Sequence, residues 1–258
     1  MSAHGAHAPA VPAGPGPMSP HTAWLSLHRV ATERYRSSGR FAWHFARGKL
    51  GRDPVFRALL ERGSIAAHAR VLDIGCGQGL LASLLAACDA LAAAHQWPAE
   101  WPAAPAHTRY RGIDLMPRDI QRAQRALAAL APPPALVCGD VRTSVFDACD
   151  VVVVLDVLHY VDIAAQDDVL ARIRAALGPR GRLLLRVGDA SQTWRFAASQ
   201  WVDRAVTSVR GHRAPPTWGR TLDQWHTALR SLGFTVTALP MSHGTPFANV
   251  LLDCELAR

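Results

Sequence analysis

Lysine is almost missing from this chain. Lys49 is the only one in 258 residues, so arginine carries nearly all of the positive charge. Acids are the scarcer sign, 20 Asp and Glu against 28 Lys and Arg, a net charge of +8. No apolar run approaches the ~18 residues that a membrane helix requires, so no transmembrane span is expected. The five cysteines, at 76, 88, 138, 149 and 254, form no CxxC pair. That spacing argues against a zinc ribbon or a disulfide framework, and no metal is expected. A reducing, cytoplasmic setting follows. The first twenty residues, MSAHGAHAPAVPAGPGPMSP, lack a basic n-region and an apolar h-region. They read as a disordered Pro/Gly/Ala/His tail, not a signal peptide. Of the nearby histidines, His4, His7 and His21 read as solvated.

Hydrophobic residues make up 49% of the chain, enough for a sizeable core. Residues 21–64 read as helices without a strand, a cap preceding a domain at 65–258. Asp53-Pro54 is an N-cap followed by proline at the first helical position. From Val71 strands and helices alternate: strands at 71–74, 108–115, 135–141, 151–157 and 183–187, with helices between them. QWPAEWPAAPAH (96–107) is a proline-broken insertion, and 190–219 a second one. Thr221 and Gln224 form a capping box for a last helix. Strands at 234–239 and 249–255 are joined too closely for a crossover, so they pair antiparallel. The expected fold is α/β: a doubly wound, Rossmann-like sheet of seven strands, the last antiparallel, with N-terminal helices.

Val71-Leu72-Asp73-Ile74-Gly75-Cys76-Gly77-Gln78-Gly79-Leu80 reads as strand, glycine-rich turn and helix start. Glycine adopts turn conformations that other residues resist and lets a ligand approach the backbone. A dinucleotide fold calls for GxGxxG here. This chain has GxGxG preceded by an acid, which sets a nicotinamide enzyme last among the readings.

In these features the sequence resembles the class I S-adenosylmethionine-dependent methyltransferases over residues 65–258. Asp73, Gly75, Gly77 and Gly79 match the first motif of that family. The resemblance implies S-adenosyl-L-methionine as cofactor. It places Asp114, with Leu115, at the ribose and Asp140, with Val141, at the adenine. It sets Asp156 beside the sulfonium, and Arg47 or Lys49 against the methionine carboxylate. Carboxylates suit these places because ribose hydroxyls and the adenine amino group are donors. FAWHFARGKL followed by DPVF is also similar to small-molecule methyltransferases of bacterial aryl polyene clusters.

Methyl transfer is an in-line displacement, so alignment is most of what the protein supplies. A base is needed only where the acceptor loses a proton. His159, in Asp156-Val157-Leu158-His159-Tyr160, is the candidate base, and Tyr160 the candidate that orients the acceptor. No N/D-P-P-Y/F motif or Pro-Cys nucleophile is present, which counts against nucleic-acid amino and cytosine methylation. Residues 29–62 carry +6 and 190–220 carry +4, leaving −2 elsewhere. The reading is therefore a small-molecule acceptor, anionic or carrier-tethered. An RNA methyltransferase and a non-catalytic cofactor-binding module are the alternatives. Oligomeric state is not legible.

Overall fold

The computed structural model describes residues 16–188, 218–241 and 249–256. Three helices come first: α1 (Pro20–Glu33), α2 (Arg40–Arg52) and α3 (Pro54–Glu61), with a 3-10 turn, Arg34–Ser38, between the first two. Then follow β1 (Arg70–Ile74), α4 (Leu80–Ala93), β2 (Arg109–Asp114), α5 (Pro117–Leu127), β3 (Ala135–Cys138) and β4 (Cys149–Leu155). The chain continues through α6 (Ile163–Ala176), β5 (Leu177–Gly188), α7 (Leu222–Ser231), β6 (Phe234–Pro240) and β7 (Asn249–Leu256).

The strands form one sheet in the order β3-β2-β1-β4-β5-β7-β6. β7 runs antiparallel to both of its neighbours and the other pairings are parallel. The expected doubly wound sheet with a reversed last strand is therefore what the chain forms. β4 is its centre: Val152, Val153 and Val154 are fully buried, as a parallel strand covered on both faces must be. Each such side chain contributes about 1.5–3 kcal/mol. The strand order reverses between β1 and β4, and ligands bind at such a switch point, beyond the carboxyl ends of the strands.

The helix ends follow local chemistry. The Asp53 side chain accepts from Val55 N, capping α3. Thr221 and Gln224 make the full reciprocal capping box at α7. Three strands differ from expectation by two residues or more, β4 spanning Cys149–Leu155 where 151–157 is expected. β3 stops at Cys138, because Gly139 and Asp140 turn the chain and Ser144 bonds back to the Asp140 carbonyl. β5 begins at Leu177, where Cys149 pairs with it before a register shift, so the LGPRG stretch joins the strand. The 96–107 segment is fastened by Trp97, whose Nε1 donates to the Pro102 carbonyl at 2.8 Å and whose ring meets Trp101 edge-on. Residues 1–15 of the expected tail, and the expected insertion apart from Trp218 and Gly219, lie outside the described residues. Among the described residues no helix is long and apolar enough to cross a membrane.

Candidate functional site

β1 ends in a loop that requires glycine at position 75. Gly75 has φ of 76°, and a Cβ there would stand 2.1 Å from Val157 Cγ2. Gly77 has φ of 53°, but a Cβ there would meet nothing within 4 Å, so this side of the loop is open. Gly79, also left-handed, starts α4. The loop is fixed from β2: Gly75 N and Cys76 N both donate to the Ile113 carbonyl. Asp114 then accepts from Gly77 N with one oxygen and from Met116 N with the other, each at 2.8 Å. Motif glycine and second-strand acid, 37 residues apart, thus form one unit. The next residue, Leu115, is 61% exposed.

Asp73 lies beneath the loop, buried, with the Tyr110 hydroxyl donating to its carboxylate. Burial pushes this carboxyl up to about 7; the Tyr110 bond pulls it back, and the Asp114 charge raises it further. Gln78, also buried, donates to Asp119, while its side-chain oxygen has no hydrogen-bond partner among the described residues.

Beyond β3, the Asp140 carboxylate is held by Arg142, through Nε at 3.0 Å and Nη2 at 2.5 Å. That pairing keeps Asp140 below the usual carboxylate range. Val141, half-buried, packs on the core below.

Asp156 directly follows β4, with φ of 61°. An L residue pays about 1–2 kcal/mol in that region, and such strain collects at functional sites. Its carboxylate is bound by Arg186 of β5, with Nε to Oδ1 at 2.8 Å and Nη2 to Oδ2, and Lys49 stands 3.7 Å away. Burial works against its charge, but Arg186 and Lys49 prevail and hold it below the usual carboxylate range. His159 and Tyr160 follow in a 3-10 turn, Leu158–Tyr160, their ring centroids 4.0 Å apart. Burial lowers the His159 pKa and the Asp156 charge opposes it, so the imidazole is neutral at pH 7.

The turn is fixed from α6. Buried Gln166 donates to the carbonyls of Leu158, Val161 and Trp218, and Arg220 donates to the Gln166 side-chain oxygen.

Arg47 and Lys49 part company. Arg47 is exposed and lies over the Trp43 ring at 4.7 Å. Lys49 reaches the strand ends, bonding Asp53 at 2.8 Å. The structure therefore brings Asp73, Gly75, Gly77, Gly79 and Asp114 together at β1 and β2. It groups Asp156, His159 and Tyr160 at β4, sets Asp140 with Arg142 and leaves Arg47 on α2.

Sequence reasoning did not find Tyr110, Gln166, Arg186 or Arg220, and read Asp53 only as a helix cap. Arg186 had a signal: a lone charge in the apolar run Leu183–Val187. The loop fits a nucleoside cofactor on this structure's own terms. It has an open glycine side, a carboxylate pinned beside it and a buried acceptor left over.

The methyltransferase domain family matches residues 42–239. No curated protein matches the chain in sequence. Among solved structures, the pyocyanin biosynthetic protein PhzM is 19% identical with a TM-score of 0.55. The match covers 84% of this chain and 57% of that one. An O-methyltransferase family protein from Burkholderia thailandensis is 19% identical with a TM-score of 0.57, over 82% of this chain and 57% of that one. This chain thus spans a little over half the length of both. Magnesium protoporphyrin IX methyltransferase (ChlM) from Synechocystis, with bound S-adenosylmethionine, is 16% identical with a TM-score of 0.55. That match covers 92% of this chain and 97% of the other. Its family match runs from α2 through β6, and the chain belongs to the methyltransferase domain family.

Proposed function

We propose that this protein methylates a small-molecule acceptor at the carboxyl ends of β1 and β4. Bound S-adenosylmethionine supplies an electrophilic methyl group on a sulfonium. Gly75, Gly77 and Gly79 would lie along it, Asp114 with Leu115 would take the ribose, and Asp140 with Val141 the adenine. Asp140 would serve by exchanging its Arg142 contact, which is solvent-exposed and therefore weak. Asp73 supports the loop from below. For the methionine carboxylate, the candidates on α2 are Arg47 and Lys49.

At β4, Asp156 stays ionised and lies beside the expected place of the sulfonium. His159, neutral at pH 7, takes the proton of a hydroxyl acceptor at a ring nitrogen, while Tyr160 orients the acceptor. The other readout of this arrangement is an acceptor that needs no base, for which alignment suffices. Several structural neighbours are named for small molecules: a pyocyanin biosynthetic protein, a magnesium protoporphyrin IX methyltransferase and a mitomycin 7-O-methyltransferase. That range supports an acceptor of similar size. An anionic or carrier-tethered acceptor is supported by the exposed arginines 29, 36, 40, 47 and 52 of the helical cap.

The observation that carries this reading is Asp114 locked onto the Gly77 amide. Calorimetric titration with S-adenosylhomocysteine tests it. The wild type should bind in the micromolar range, and Asp114→Ala should weaken binding at least tenfold, about 1.4 kcal/mol. A folded wild type that does not bind would overturn the reading. A labelled-methyl screen of small-molecule and RNA fractions then identifies the acceptor.

A further inference from the structure

Arg186 is a charge where the fold has little reason to keep one. It sits in the strand run LLLRV, and its side chain is 1% exposed. Its guanidinium is divided between two carboxylates far apart in sequence. Nη1 bonds Asp53 Oδ1 at 2.5 Å, while Nε and Nη2 bond Asp156. Lys49 closes the cluster from the other side, 2.8 Å from Asp53 and 3.7 Å from Asp156. Two cations and two anions cancel, so the cluster carries no net charge. Apolar residues of similar volume hold a fold together as well as a buried ion cluster does. Stability alone does not account for it.

Its position does. The N-terminal helices touch the carboxyl edge of the sheet at two places. On the β1 side, the Tyr35 hydroxyl donates to the Gln78 carbonyl of the glycine loop at 2.8 Å. There Ser38 also bonds the Arg122 carbonyl of α5, at 2.7 Å. On the β4 side, the attachment is Asp53 and Lys49 against Arg186 and Asp156. Between them runs α2, thirteen residues and about 20 Å long. The segment is thus an arch with feet at the cofactor loop and at the expected sulfonium end.

We propose that Arg186 is a positioning residue: by bridging Asp53 and Asp156 it fastens the α2–α3 junction to the end of β4, and so keeps the arch closed over the bound cofactor. What lies beneath the arch rests on the methyltransferase reading; the fastening itself does not. Asp53 belongs to the clamp and caps α3 through the same oxygen that meets Arg186. Asn caps as well as Asp, so Asp53→Asn removes the charge of the tether while keeping the cap and the Arg186–Asp156 pair.

The experiment uses the full chain, wild type, Asp53→Asn and Arg186→Lys. It reads hydrogen exchange region by region and the dissociation rate of S-adenosylhomocysteine by stopped flow. In Asp53→Asn, amides of residues 49–57 should exchange about tenfold faster, as loss of a charged hydrogen bond allows, with α4 and α6 unchanged. S-adenosylhomocysteine should leave about five- to tenfold faster. Arg186→Lys, a point charge in place of a fork, should likewise speed both exchange at residues 49–57 and dissociation. Folded Asp53→Asn with unchanged exchange and dissociation would overturn the proposal. So would faster exchange spread evenly over all elements, the mark of a merely structural role. If the wild type fails to bind S-adenosylhomocysteine, the proposed function falls, while exchange at 49–57 still judges the clamp.

Discussion

Asp73 pays for its place under the glycine loop in a way that pH should expose. Its carboxyl rises from 3.8 to about 7 on folding, chiefly through burial. The folded state therefore favours the protonated form. The resulting stability is fully present below pH 3.8, is lost as pH rises toward 7, and is gone above that. The Tyr110 hydroxyl is the group that resists this, because a donor favours the ionised carboxylate. Tyr110→Phe should move the window of falling stability upward and, above it, destabilise the fold by about 1–3 kcal/mol. Melting temperature against pH from 4 to 9 checks this. A window that stays in place would mean that Tyr110 does not govern the Asp73 charge. The pair also shows where sequence reading stops. Asp73 is visible in the motif, but its partner is one of three tyrosines, and only the β1–β2 register, with Asp73 beside Gly112, brings Tyr110 near it.

The loop after β4, which carries His159 and Tyr160, is held by two backbone bonds of its own, Tyr160 N to the Val157 carbonyl and Val161 N to the Leu158 carbonyl, and by contacts from outside. Leu158–Tyr160 is a single 3-10 turn. Three carbonyls around it converge on one buried amide, Gln166 Nε2, at 3.0, 3.0 and 3.2 Å. Arg220 orients that amide and is itself anchored by Asp167 at 2.6 Å. Gln166→Leu keeps the volume and removes the donor from the Val161 and Trp218 carbonyls, while the Leu158 carbonyl keeps its bond from Val161 N. The expected cost is about 2–3 kcal/mol, with His159 released from its fixed place. The check is a lower melting temperature together with a His159 proton resonance that shifts and titrates nearer the free imidazole value. An unmoved resonance would mean that the turn orders itself.

Element positions were legible because local rules set them. Alternation placed the strands, Pro54 and Thr221 marked helix starts, and GxGxG with Asp114 marked the loop. The tertiary links were not legible. Gln166 and Arg220 are 54 residues apart and Asp53 and Arg186 are 133 apart, and no local pattern pairs them. The same limit applies to Arg47 and Lys49. Both lie near the end of α2, but helical phase sends one to Trp43 and the other to Asp156.

At the scale of the whole molecule, the N-terminal helices are part of the core as well as of the arch. Nine of the fourteen residues of α4 are buried, so that helix needs cover on the side away from the sheet. α1 provides it with Ala23, Leu27 and Ala31, all at most 1% exposed. Polar bonds set the register: Ser83 Oγ donates to the Ala31 carbonyl at 2.7 Å, and Arg34 to the Ser83 carbonyl at 3.0 Å. A chain reduced to residues 65–258 would expose the outer face of α4 and leave Arg186 with one carboxylate. It should therefore fail to give a cooperatively melting monomer, checked by circular dichroism and size-exclusion chromatography against the full chain. A 65–258 fragment melting cooperatively near the full-chain temperature would instead make residues 21–64 a dispensable cap on a self-sufficient domain. Acid should loosen the same attachment in the intact protein. Arg186 and Lys49 outweigh the burial of Asp53 and hold its carboxyl down to about 2. The stability it lends is present above pH 3.8 and lost as pH falls through 2, opposite in sign to the contribution of Asp73. Asp53→Asn should therefore flatten the acid limb below pH 4 and leave the limb between 4 and 7 unchanged.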